Sequence, residues 1–245
     1  MPNDSLSTSP ASLLLGKTAL VTGASRGIGR AVSLRLAELG ARLLLVGRDA
    51  DALSATAQEI ATAAGSAETI PCDMLDPASM SSLLARIDAE RGCDILVNAA
   101  GVGKIGKPLD QMSPQDFDAV IGTNLRAPFL LMRAVVPHMS ERGGGFIVNI
   151  SSLAGQGPLA NGAAYAASKW ALNGLSYSAA EELRAQNIRV SVVAPGSVNT
   201  SFGGGSKDRS RMLQPEDVAG VVAMLVTQPA QSFISEVRMR PTQKP

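Results

Sequence analysis

From Lys17 onward, short apolar runs rich in β-branched residues alternate with longer segments whose apolar residues recur at helical spacing. No other feature restricts the fold as much. Parallel neighbouring strands need a long crossover between them, and a helix supplies it. Seven runs, at residues 18–22, 41–47, 67–72, 95–98, 146–151, 189–194 and 236–240, read as strands. Six segments, at 28–39, 51–64, 77–91, 114–141, 160–185 and 215–227, read as helices. The expected architecture is a single-domain α/β fold, a doubly wound seven-stranded parallel sheet with helices on both faces. Asp76 before Pro77 and Ser113 before Pro114 are good helix starts. Pro128 and Pro137 fall inside the fourth helix, so a bend or break is expected there.

Composition removes several functions. The 22 basic and 21 acidic residues nearly balance, and no basic block offers a nucleic-acid surface. Cys72 and Cys93 have no His or Cys neighbours at metal-ligand spacing, so no metal site is expected and both read as reduced thiols of a cytoplasmic protein. The one histidine, His138, sits among apolar neighbours in a helical segment and suits a structural role better than a catalytic triad. Residues 1–15, rich in Ser, Pro and Thr at their start, read as a flexible tail without the basic opening of a secretory signal, leaving a folded domain over 16–245. No run of about 18 uncharged apolar residues exists, so no membrane span is expected.

The first strand runs into Thr22-Gly23-Ala24-Ser25-Arg26-Gly27-Ile28-Gly29, a glycine-rich turn opening a helix. Glycines let the backbone approach a pyrophosphate, whose charge a helix amino terminus favours; the other use of such a turn is a tight connection. No Lys-Ser or Lys-Thr follows, so it is not the phosphate loop of nucleotide triphosphatases. At the end of the second strand stands Arg48, where an acidic residue would bind the ribose 2′-hydroxyl of NAD. Arg48 and Arg26 could together pair with a 2′-phosphate, which favours NADP, with Asp49 left as a helix cap. Asp73, after the third strand, could accept from an adenine amino group or make a turn. Tyr165 and Lys169, four apart, share a helix face, and an ammonium beside a phenol lowers its pKa toward useful acid-base chemistry.

Together these residues resemble the short-chain dehydrogenase/reductase family. The resemblance rests on the 22–29 turn, Asn98-Ala99-Ala100-Gly101, Ser152, Tyr165-x-x-x-Lys169 and Pro195-Gly196, with Ser152 thirteen residues before Tyr165. That spacing selects Ser152 over Ser151, and Asn124 fits the family's asparagine in the preceding helix. The resemblance implies a Rossmann-type fold and an NADP(H)-dependent reductase that converts a carbonyl to an alcohol, of the kind that includes 3-oxoacyl-carrier-protein reductases. It implies Tyr165 as the acid, Ser152 as donor to the substrate oxygen, and Lys169 as holder of the nicotinamide ribose and depressor of the tyrosine pKa. Asn124 would anchor a water that replenishes the proton. The cofactor contacts implied are Gly23, Ser25, Arg26, Gly27, Ile28, Gly29, Arg48, Asp73, Asn98, Ala99, Gly101, Tyr165, Lys169, Pro195, Gly196, Val198 and Thr200. A homotetramer or homodimer is implied too, with the apolar helices around 125–136 and 163–183 either meeting between subunits or only facing the sheet. Residues 201–214 are short for the family's mobile segment, so an open, glycine-loosened lid is expected, and Pro241-Thr242 replaces the Asp-Gly-Gly of many 3-oxoacyl reductases. The competing reading is a cofactor-sensing or scaffold protein that keeps the fold without turnover.

Overall fold

The computed structural model describes residues 13–202 and 209–245. Of the expected tail, residues 1–12 lie outside the described residues, as do the lid glycines at 203–205. One residue of that expected tail is placed in the core. Leu14 is buried in the core, and its N–H donates to the Leu39 carbonyl at 2.8 Å, because an apolar side chain here closes the gap behind the first helix.

Seven parallel strands form one sheet: β1 (Thr18–Thr22), β2 (Arg42–Gly47), β3 (Ser66–Pro71), β4 (Ile95–Asn98), β5 (Gly145–Ile150), β6 (Ile188–Pro195) and β7 (Glu236–Met239). Their order is β3-β2-β1-β4-β5-β6-β7, so the winding reverses between β1 and β4. In such a sheet a crevice opens at the carboxyl ends of those two strands. The helices are α1 (Gly27–Glu38), α2 (Ala50–Thr62), α3 (Pro77–Ala89), α4 (Pro114–Ile121), α5 (Ala127–Glu141), α6 (Ala163–Leu183) and α7 (Pro215–Val226).

Strand alternation explains the layers. Ala19, Val21, Leu43, Leu45, Ile95 and Val97 pack with α1, α2 and α7, while Leu20, Leu44, Val46 and Leu96 point the opposite way, toward α3, α5 and α6. Both faces are covered, which is why these strands carry continuous apolar runs. Helix starts follow side-chain chemistry: Asp49 accepts from the Ala52 N–H at 3.0 Å, Asp76 from Ser79 at 2.8 Å and Ser113 from Asp116 at 3.1 Å. Asp49 thus has the capping role that the sequence left open for it.

The segment expected as one helix over 114–141 breaks before its prolines. A wide π turn, Gly122–Arg126, joins α4 to α5, with the Ala127 N–H reaching the Gly122 carbonyl. Pro128 has no N–H to donate to the Asn124 carbonyl one turn back, so the regular ladder cannot continue there. Pro137 is accommodated within α5. By length and composition alone, Pro114–Glu141, with mean hydropathy 1.3 in its most apolar window, would suffice to cross a membrane. In the fold these helices pack against α3, α6 and β5, which gives that apolarity a use in the core.

Candidate active site

At the carboxyl ends of the strands lies a cleft of about 1260 Å³. The turn after β1 shapes one end. Gly23 has φ +67°, and a Cβ there would sit 2.9 Å from the Ala100 Cα; a Cβ on Gly29 would collide with the Gly23 carbonyl oxygen. The Thr22 hydroxyl accepts from the N–H groups of Ala99 and Ala100, both at 3.0 Å, and so ties the exit of β4 to that of β1. Helix α1 begins at this turn without a side-chain cap or an acidic residue in its first turn. Uncapped N–H groups and close backbone approach fit a pyrophosphate. Arg26 and Arg48 line the cleft, both exposed and neither with an ion-pair partner among the described residues. Asp73 also lines it; one carboxylate oxygen accepts from the Leu75 N–H at 3.0 Å, as in a turn, and the other has no partner among the described residues.

At the other end, Ser152 follows β5 and its hydroxyl accepts from the Ala154 N–H at 3.1 Å. The Tyr165 phenol on α6 lies near the same hydroxyl, which favours its anion. Ser151 is buried, with an unpaired hydroxyl, and makes no such contact. Tyr165 is only 8% exposed, and burial raises its pKa above the ordinary value while the nearby Ser152 hydroxyl works the other way. Lys169 is 4% exposed; burial pushes its ammonium down to about 8. Its Nζ donates to the Ile150 carbonyl at 2.7 Å and lies 5.8 Å from the Tyr165 ring centroid. The phenol therefore does not stand below its ordinary value, as the spacing alone suggested, because desolvation outweighs an ammonium that β5 holds aside.

Asn124 does not line the cleft. Its Oδ1 accepts from the Val102 N–H and its Nδ2 donates to the Val102 carbonyl, both at 2.9 Å, and Nδ2 also reaches the Ser168 hydroxyl at 3.0 Å. The side chain is fully used in pinning the β4 exit loop to α6. Asn98 departs from the expectation of a cofactor contact as well: its side chain turns into the core, donating to Asn149 Oδ1 at 2.8 Å, and Asn149 in turn donates to Ser176 at 2.8 Å. Asn98 and Asn149 are register partners on β4 and β5, so strand pairing puts the two amides together beneath the cleft. All other expected contacts, from Gly23 through Thr200, line the cleft.

The sequence did not single out several lining residues. The Phe202 ring stands 5.6 Å from that of Tyr165, centroid to centroid, and Leu153, Met212, Arg240 and Pro241 complete this end. The Thr200 methyl would lie 3.1 Å from a Cβ on Gly27, which shows how closely the segment after β6 approaches the glycine turn. Among the described residues no cluster of His, Cys, Asp and Glu could hold a metal.

A sequence model described as short chain dehydrogenase matches residues 17–210. The D-threitol dehydrogenase of Mycolicibacterium smegmatis is 35% identical over 228 residues, covering 88% of this chain and 87% of its own. A metagenomic short-chain oxidoreductase crystallised in complex with NADP is 51% identical, with a TM-score of 0.84 over 95% of this chain and 100% of that one. A putative NAD(P) dependent gluconate 5-dehydrogenase from Beutenbergia cavernae, with bound NADP, is 33% identical, with a TM-score of 0.86 over 95% and 97%. The matched family, the seven-stranded parallel sheet and the cleft at its winding reversal agree, and the chain belongs to the short-chain dehydrogenase family.

Proposed function

We propose that the protein is an NADP(H)-dependent oxidoreductase that reduces a carbonyl to an alcohol, reversibly. The observation that carries this reading is the Ser152 hydroxyl and the Tyr165 phenol together on the cleft wall, with the Lys169 ammonium buried behind the ring. A reduced nicotinamide, when bound, supplies the hydride to the carbonyl carbon. The Tyr165 hydroxyl gives its proton to the carbonyl oxygen, and the Ser152 hydroxyl donates to the same oxygen as charge develops on it. Tyr165 is left as a phenolate, which the Lys169 cation stabilises. With the Asn124 side chain occupied by Val102 and Ser168, that residue supports proton return through its backbone carbonyl, which Pro128 cannot reach as a helical donor. Arg26 and Arg48 take a 2′-phosphate, and Asp73 has a carboxylate oxygen to spare for the adenine. The NADP named in two similar structures supports that choice of cofactor.

Two of the similar proteins are named for D-threitol and, putatively, gluconate, both small polyhydroxylated compounds, which supports a compact polar substrate. A 3-oxoacyl thioester fits the same chemistry but lacks support at the Pro241-Thr242 end. A protein that only sensed the cofactor would have no use for Ser152 set against Tyr165. Phe117, Phe129, Trp170 and Tyr177, all partly exposed on α4 to α6, support a homo-oligomer built on those helices. The free, buried thiols of Cys72 and Cys93 fit a reducing cytoplasm. The test is loss of reduced-nicotinamide absorbance when the purified chain meets NADPH and a panel of ketones and aldehydes. Turnover of at least one carbonyl is expected; tight NADPH binding with no turnover across the panel contradicts the reading.

A further inference from the structure

The segment after β7 is a wall of the cleft and supplies charge to the end where the substrate would sit. The Gly196 N–H donates to the Met239 carbonyl at 2.9 Å, and a Cβ on Gly196 would stand 3.3 Å from Pro241 and 3.2 Å from Leu153. These contacts fasten the segment beside the residue that follows Ser152. In the sheet, β1, β4, β5 and β6 separate β7 from β2, which carries Arg48 at its end. This is therefore the far end from the 2′-phosphate cations.

The charge at this end is one-sided. Arg240 and Lys244 line the cleft here, and neither has an ion-pair or hydrogen-bond partner among the described residues. The described acidic side chains that line the cleft, Asp49 and Asp73, follow β2 and β3. Elsewhere the protein neutralises clustered cations: Arg42 and Arg86 share Glu68 and Glu90, and Arg238 meets Glu236. Apolar residues share the cleft with Arg240, among them Leu153, Leu159, Phe202, Met212 and Pro241, while Asp217 lies with it in the adjoining groove outside the cleft. Unneutralised cations beside apolar walls focus a positive potential into the cleft, and a guanidinium matches a carboxylate in a two-pronged hydrogen bond.

We infer that the substrate carries a carboxylate, bound by Arg240 with Lys244 as a second cation, so that the protein acts on oxo acids or hydroxy acids in preference to uncharged ketones and alcohols. The inference rests on the carbonyl reductase reading and narrows it. It uses a feature that distinguishes this chain from its resemblance to 3-oxoacyl reductases, the Arg240-Pro241-Thr242 ending of β7.

The test compares four oxohexanoates, with the ketone or ketoacid carbonyl at each position from the second to the fifth carbon, against their methyl esters, which keep the carbonyl and lose the charge. For at least one pair, wild type is expected to favour the acid about tenfold or more in kcat/KM, and Arg240→Gln to reduce that preference by a similar factor, mainly through KM. Raised salt should erode the preference in wild type. Turnover of esters as readily as acids, or a preference that Arg240→Gln leaves unmoved, overturns the inference while the reductase reading stands. If no pair is turned over, the reductase reading is judged by the wider carbonyl panel, and titration of hexanoate into the NADP⁺-loaded protein decides the carboxylate site. Binding weakened about tenfold by Arg240→Gln sustains the carboxylate site; hexanoate that fails to bind, or binds both proteins alike, overturns it.

Discussion

The Nζ of Lys169 donates to the carbonyl oxygen of Ile150 at 2.7 Å, so the end of β5 holds the ammonium of α6 directly behind the Tyr165 ring. A cation held there by one backbone carbonyl carries a desolvation cost, which is what brings its pKa down to about 8. Between about 8 and the ordinary 10.5 the unfolded chain keeps the proton that the folded chain has lost, so this group's contribution to stability rises with pH through that window and is least favourable below it. Compared with Lys169→Met, the wild type should therefore gain stability between pH 8 and 10.5, by up to about 3 kcal/mol. Urea unfolding of both proteins at several pH values checks this; a difference that stays constant with pH contradicts it.

The same titration should appear in catalysis. Burial keeps the Tyr165 phenol protonated through neutral pH, so the acid needed for reduction is present there, and it is loss of the Lys169 charge that limits the rate. The kcat/KM for reduction is expected to be flat below pH 8 and to fall above it. A profile flat to pH 10 would mean that the ammonium does not matter to the phenol.

Arg48 leaves β2 exposed on the cleft wall, with no ion-pair partner among the described residues. Arg48→Asp should lower the preference for NADPH over NADH by about tenfold or more, since a charged hydrogen bond is lost and a repulsion is added. Steady-state kinetics with both cofactors reads the ratio directly, and an unchanged ratio removes Arg48 from the 2′-phosphate site.

Asn124 holds Val102 through both its N–H and its carbonyl. Asn124→Ala leaves those partly buried groups unsatisfied and should destabilise the fold by about 1–3 kcal/mol. NADPH affinity should fall with it, because the 99–103 loop loses its tether to α6. Denaturant unfolding and cofactor titration measure the two effects, and native stability in the variant would show that another group carries the loop.

The strands could be read from the sequence to within a residue or two, because buried parallel strands need apolar runs that little else produces. Tyr165 and Lys169 could be placed on one helix face from their spacing, whereas Ser152 was singled out only by the resemblance to the family. Asn98 could not be placed, since its direction depends on the pairing of β4 with β5, which sets it against Asn149. The break at 122–126 was hidden because prolines at 128 and 137 mark where a ladder must fail without showing on which side the chain widens. Phe202 and Arg240 come from segments distant in sequence that only the folded sheet brings to one cleft.

The central claim is that Tyr165 protonates the substrate oxygen in a cleft that binds the cofactor independently. The direct measurement is single-turnover reduction by Tyr165→Phe beside wild type, with the NADPH dissociation constant determined for both. The expected result is a rate lowered by about 10³-fold with NADPH affinity within a few-fold of wild type. A variant that reduces the carbonyl at the wild-type rate while binding NADPH normally would contradict the account.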